Sequence, residues 1–230
     1  MISLSPTITR QRAEYLSFEV PSSKKAILRD QVIIRALDIA IAIAALIFFL
    51  PILVALSVTL AIQGGPVFFA HQRLGQNGSR FFCLKFRSMV VNAEERLAKL
   101  LSEDPEARKE WCENHKLRHD PRITAFGRFL RRSSLDELPQ LINVLKGEMS
   151  IVGPRPIVEA EVARYGHHIR SYYAVKPGVT GIWQVSGRSD VKYRTRVAMD
   201  CVYARAIKPS LYLWLVLATI PAVLMRRGSY

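Results

Sequence analysis

Asp136 and Glu137 stand side by side in Arg131-Arg132-Ser133-Ser134-Leu135-Asp136-Glu137-Leu138-Pro139-Gln140, directly behind a basic run. A carboxylate pair embedded in cations can hold a metal and a polyphosphate together, since a hard divalent cation prefers a few carboxylates plus phosphate oxygens. The same residues can also be explained without chemistry. Ser134 followed by Glu137 reads as a capping box, Leu138, Leu141, Ile142 and Leu145 recur at helical spacing, and Gly147 ends the helix. Acids in the first turn of such a helix favour its dipole.

Further residues downstream shift the balance. Arg155 lies between two prolines in Gly153-Pro154-Arg155-Pro156, each fixing φ at about −65°. A guanidinium on so stiff a backbone suits bidentate phosphate binding. In Lys176-Pro177-Gly178-Val179-Thr180-Gly181, Pro177-Gly178 predicts a type II turn, and Gly187-Arg188 offers a second arginine from a tight bend. Each feature alone is common in surface loops. Lys85 and Arg87 read equally as solvated charges at the end of a hairpin.

These groups need elements to position them. Val67-Phe68-Phe69 and Phe81-Phe82-Cys83-Leu84 are strand-like, and Gly75-Gln76-Asn77-Gly78 between them tolerates positive φ, so a β-hairpin is expected over 66–89. Residues 91–118 are charge-dense and helix-favouring, with Leu97, Leu100 and Leu101 as a narrow apolar stripe and Pro105 as a break or start. A further helix is expected from about Val191 to Ala206, carrying Asp200 within ion-pair reach of Arg196 or Arg205. Cys83, Cys112 and Cys201 are far apart and lack the paired spacing of zinc or redox sites, so they read as small buried apolar residues.

The 24 residues from Ile39 to Ile62 carry no charge. At ~1.5 Å per residue they make a helix of roughly 36 Å, enough for a hydrocarbon core of ~30 Å. Polar, mixed-charge residues precede the segment, so it does not read as a cleavable signal. Both flanks are basic: Lys24, Lys25, Arg29 and Arg35 before it, Arg73, Arg80, Lys85 and Arg87 after it, with no acid between 63 and 91. Basic flanks favour the cytoplasm, so two of them favour a re-entrant helix bent near Pro51; a single kinked span is the alternative. Leu211–Met225, with Tyr212 and Trp214, is short for a span and reads as an interfacial helix or a core helix. The formal net charge of +14 calls for polyanionic partners. No zinc-finger or RNA-binding motif points to nucleic acid.

In this order the Lys85-Phe86-Arg87-Ser88-Met89 hairpin end, the Leu-Asp-Glu-Leu-Pro-Gln segment, Gly-Pro-Arg-Pro and Lys-Pro-Gly-Val-Thr-Gly resemble the bacterial polyprenyl-phosphate hexose-1-phosphate transferases, the monotopic phosphoglycosyl transferases. The resemblance covers roughly residues 32 to 230. It implies transfer of galactose- or glucose-1-phosphate from a UDP-sugar to undecaprenyl phosphate, with release of UMP, as the first step of exopolysaccharide repeat-unit assembly. Asp136 would be the nucleophile, Glu137 a Mg²⁺ ligand, and Lys85, Arg155 and Arg188 the phosphate-binding cations; Arg87, Gln184 and Asp200 are further candidates. The expected fold is α+β and mostly helical. It would comprise a polar tail (1–31), a re-entrant membrane helix bent at Pro51 (32–64), and a catalytic domain with a small β-hairpin and interfacial C-terminal helices (65–230). That domain would lie on the cytoplasmic face of the bacterial inner membrane, in contact with membrane lipids. The resemblance allows a homodimer. The competing reading is a basic, membrane-attached module that binds polyanions without chemistry.

Overall fold

The computed structural model describes residues 24–114, 117, 119–187 and 191–224. The uncharged segment forms the second half of a long helix, α1 (Lys24–Ile62), which stays helical through Pro51. Over Lys25–Ile62 it is long and apolar enough to cross a membrane, the one such stretch among the described residues.

After α1 the chain turns at Gly64 and Gly65, both at positive φ, into a hairpin of β1 (Phe68–Leu74) and β2 (Arg80–Phe86). The turn is where the sequence indicated, with Asn77 and Gly78 in the left-handed region. The register runs from Phe68↔Phe86 to Leu74↔Arg80. Directly paired residues project to the same side, so Phe69, His71 and Arg73 share a face with Lys85, Cys83 and Phe81. Helices α2 (Ala93–Glu103) and α3 (Pro105–Asn114) follow, Pro105 starting the second, and then α4 (Ala125–Ser133).

The dyad region departs from the expected single helix. Ser134 has φ 57° and closes α4 as a left-handed cap, and its side chain makes no capping bond. A short 3-10 turn covers Leu135–Glu137, and only then does α5 (Gln140–Lys146) begin, ending at Gly147 with φ 83°. The capping box therefore does not form, and Glu137 points its carboxylate elsewhere.

Two motif segments meet in a parallel pair, β3 (Ser150–Val152) with β4 (Gly178–Thr180). The expected type II turn at Pro177-Gly178 is absent, because Gly178 is a strand residue. It is glycine for want of room: a Cβ there would lie 2.0 Å from Gly153 N. Bonds from Gly178 N to Pro154 O (2.8 Å) and Gly153 N to Thr180 O (2.8 Å) fix the two residues that lead into Arg155.

The chain finishes with α6 (Val162–Tyr165), α7 (Ile169–Tyr173), α8 (Ile182–Ser186), α9 (Tyr193–Ala206) and α10 (Pro209–Leu224). The main core joins Ile34 and Ala42 of α1 to β2, α5, β3 and Leu211, Tyr212 and Leu215 of α10. Tyr212, expected at headgroup level, is wholly buried, and its hydroxyl donates to Asp38 Oδ1 (2.8 Å). Leu213, Leu217 and Ile220 on the opposite side of α10 are exposed. Further along α1, Leu56 and Leu60 pack on Phe86 and Leu130. Cys83 and Cys201 are buried as expected, but Cys112 is exposed.

Candidate active site

The site forms where β2, the 3-10 turn and the loop after β3 converge. Lys85 Nζ donates to Glu137 Oε1 at 2.6 Å and lies 4.0 Å from Asp136 Oδ2. Arg155 Nη1 reaches the same Glu137 oxygen at 3.2 Å. These contacts are not those of a helix cap. A helix-capping glutamate would turn back to its own backbone, whereas Glu137 gathers two cations from segments 52 and 18 residues away in sequence.

The two carboxylates are electrostatically unlike. Burial alone would push Glu137 up, but Lys85 and Arg155 outweigh it and hold this carboxyl well below the usual range. Asp136, with a side chain 10 % exposed, is pushed above its ordinary value by burial, against the pull of Lys85 and with a push from Glu137. Of the two, the desolvated Asp136 carboxylate is therefore the more basic. Burial pushes up the thiol of Cys83, two residues from Lys85 on β2.

A shallow, solvent-open cleft lies at this point, lined among others by Lys85, Glu137, Gln140, Arg155 and Arg73. Glu148 Oε2 and Phe82 O both accept from Asn143 Nδ2, and Leu84 N donates to Asn143 Oδ1, which staples α5 to the strand carrying Lys85. Arg131 also acts on the Asp136 carboxylate through its charge, and its Nε donates to Ser88 Oγ at 2.9 Å.

Of the residues singled out in the sequence, Asp136, Glu137, Lys85 and Arg155 come together. Gln184 is not brought to the cleft wall; its Nε2 donates to the carbonyl of Val179 at 3.5 Å. Arg87 is directed elsewhere: it is buried and donates to Leu60 O (3.1 Å) and Pro66 O (2.8 Å), clamping the end of α1 to the hairpin root. Asp200 does not face the cleft either. It is 3 % exposed and takes a 2.7 Å bond from the Tyr165 hydroxyl instead of a surface ion pair. Burial raises its carboxyl to about 7. Arg188 lies outside the described residues. Arg73, Arg131 and Gln140 were assigned no role from the sequence. The alternation of β1 could have found Arg73, since it shares a face with Lys85; nothing in the run Arg131-Arg132 tells which arginine turns inward.

No cluster of three or more His, Cys, Asp or Glu that could hold a metal unaided occurs among the described residues. A metal here would have to be shared between one or two of the dyad's carboxylates and the phosphates of a substrate. Such a donor set fits Mg²⁺, which keeps few protein ligands.

The chain thus joins a helix long and apolar enough to cross a membrane to a body that sets a carboxylate pair among cations. The chain belongs to the bacterial sugar transferase family, whose model matches residues 29–226. It is 50 % identical over 200 residues to the undecaprenyl-phosphate galactose phosphotransferase of Salmonella typhimurium and 49 % identical over 200 residues to the UDP-galactose-lipid carrier transferase of Erwinia amylovora. Each match covers 85 % of this chain but 41 % of the relative, so the chain spans about two fifths of their length. It is also 46 % identical over 197 residues to the exopolysaccharide production protein ExoY of Rhizobium meliloti, covering 85 % of this chain and 87 % of that one.

Proposed function

We propose that this chain is an enzyme that transfers hexose-1-phosphate from a UDP-sugar to undecaprenyl phosphate by double displacement at one phosphorus, beginning an exopolysaccharide repeat unit. The observation that carries the reading is the division of labour in the dyad: Glu137 binds Lys85 and Arg155, and Asp136 beside it is buried and basic. The relatives' names supply the substrate class, and they divide over the sugar: two name galactose, and a Xanthomonas campestris relative, 38 % identical over 210 residues, is a UDP-glucose:undecaprenyl-phosphate glucose-1-phosphate transferase.

In the first step an Asp136 carboxylate oxygen bonds to the sugar-bearing phosphorus, and the bond from that phosphorus to the nucleotide's bridging oxygen breaks, releasing UMP. In the second a phosphate oxygen of the acceptor bonds to the same phosphorus, and Asp136 departs as a carboxylate. Lys85 and Arg155, already turned toward one carboxylate, stabilise the negative charge that crowds the phosphorus in both steps. Mg²⁺ held by Glu137 and the diphosphate would supply further charge neutralisation.

The same reading places the body on the cytoplasmic face of the plasma membrane, with α1 re-entrant. Basic flanks on both sides of the apolar segment support this. So does its packing: Ala42, Ala45 and Leu46 lie against the main core and Leu53, Leu56 and Leu60 against the hairpin root, leaving only residues 47–52 between them. Contacts with the body thus occur on both sides of Pro51, while Ile43, Ile47, Phe48, Leu50, Ile52, Val54 and Val58 are exposed and available to lipid. Membrane lipids are then partners along with the two substrates, and a homodimer is compatible with the arrangement.

The test is a panel of nucleotide-diphosphate sugars assayed with polyprenyl phosphate and Mg²⁺. Metal-dependent release of UMP that goes beyond a single turnover only when acceptor is present supports the proposal. Binding of assorted polyanions without any turnover would favour the non-catalytic module.

A further inference from the structure

Double displacement at one phosphorus constrains more than the nucleophile. Asp136 attacks in line, so the nucleotide phosphate departs on the face opposite Asp136, and the acceptor phosphate must enter on that same face. One subsite therefore has to receive a phosphate monoester twice in each cycle, and it must lie across the cleft from Asp136.

Arg73 shares a hairpin face with Lys85, which reaches Asp136 at 4.0 Å, and stands four positions further along that face. It lines the cleft with Lys85 and Arg155, giving three cations against the single carboxylate of Glu137 among the lining residues. Its side chain is 23 % exposed and held in place: Nη1 donates to Pro156 O at 3.2 Å and lies 3.8 Å from Glu161 Oε2. Arg155, which reaches Glu137 Oε1 at 3.2 Å, lines the same cleft as Arg73. Glu161 offsets Arg73 only in part, because its Oε2 also accepts from Val158 N at 3.0 Å. The hairpin sets the spacing, with Arg73 four residues along β1 from Phe69, the partner of Lys85. That is ~14 Å between backbones, a gap that two long side chains close around a diphosphate.

We infer that Arg73 is a substrate-binding residue forming a shared phosphate-monoester subsite, which holds the leaving nucleoside monophosphate and then the phosphate of the lipid acceptor. The inference rests on the double-displacement reading and adds the residue that makes the two half-reactions use one place. A purely structural Arg73 would serve only to hold Pro156.

The experiment uses full-length protein in membranes or detergent, as wild type, Arg73→Gln and Arg73→Lys. One arm measures exchange of labelled UMP into UDP-sugar without acceptor, the other the KM for polyprenyl phosphate, and a thermal scan monitors folding. Loss of one charge-assisted pair corresponds to roughly a 10- to 100-fold weakening. Arg73→Gln should raise the half-saturating UMP and the acceptor KM together by that factor at unchanged melting temperature, with Arg73→Lys in between. Should Arg73→Gln fail to accumulate, Arg73→Lys carries the test with a several-fold shift in both arms. The inference is overturned if both constants stay within about twofold of wild type, if only one arm moves, or if the melting temperature falls while the constants hold. Failure of the underlying reading looks different: the wild-type protein would then exchange no UMP at all.

Discussion

Asp38 offers the sharpest test of how the membrane helix is joined to the active site. It lies in α1, is 1 % exposed, and its Oδ1 accepts from Ser150 Oγ, Ile151 N and Tyr212 Oη, each at 2.8 Å. Ser150 and Ile151 belong to β3, which leads directly into Arg155. Replacing Asp38 by alanine leaves these donors buried without an acceptor, at about 1–3 kcal/mol each, or about 3–9 kcal/mol before relaxation. Water entering the space vacated reduces this to roughly 3–6 kcal/mol, a large fraction of the ~5–15 kcal/mol that holds a typical domain folded. At ~2–4 °C per kcal/mol for a chain of this size, thermal unfolding followed by tryptophan fluorescence in detergent should shift down by roughly 6–24 °C. Asp38→Asn keeps an oxygen in place and should lose less than half as much, while Tyr212→Phe and Ser150→Ala each lose about 1 kcal/mol. Combining Tyr212→Phe with Asp38→Ala should cost less than the sum, since both remove the same bond. A melting temperature for Asp38→Ala within about 2 °C of wild type would refute this assignment.

Other perturbations probe the site and its support. Because burial raises Asp136 and Lys85 opposes that rise, Lys85→Met should move the acid limb of the UMP-release profile to higher pH; an unmoved midpoint would contradict the pairing. Asp200, raised to about 7 from 3.8, resists ionisation in the folded state, so it contributes stability at low pH that is lost as pH climbs from about 4 through 7. Asp200→Asn should flatten the fall in melting temperature over that range, and an undiminished fall would rule Asp200 out as its source. Gly178→Ala drives a Cβ to 2.0 Å from Gly153 N. Parting β3 from β4 should cost about 3 kcal/mol and displace Arg155, which thermal melts and turnover would report.

What the sequence made legible follows local chemistry. The hairpin was readable because strand-forming aromatics bracket a Gly-Gln-Asn-Gly turn, and the membrane helix because an uncharged run of this length has few other uses. Glu137 was harder, because a capping glutamate and a cation-gathering one have the same local sequence; only contacts with Lys85 and Arg155, 52 and 18 residues away, separate them. Gly178 was misread for a related reason, since glycine serves both a turn and a close approach of strands. Arg87 and Asp200 were drawn toward the site by their motif or their charge, yet the one is used up on carbonyls at the end of α1 and the other on Tyr165. Tyr212 went astray because an apolar helix with aromatic residues looks alike whether it meets headgroups or a buried carboxylate.

The most direct measurement supplies sugar-phosphate-labelled UDP-sugar without acceptor, quenches in acid, and locates the label by peptide mass spectrometry in wild type, Asp136→Asn and Glu137→Gln. Double displacement predicts label on Asp136 in the wild type, none in Asp136→Asn, and turnover in that variant reduced by a thousandfold or more, about 4 kcal/mol. Label on any other residue, or an Asp136→Asn enzyme that turns over within about tenfold of wild type, would contradict it.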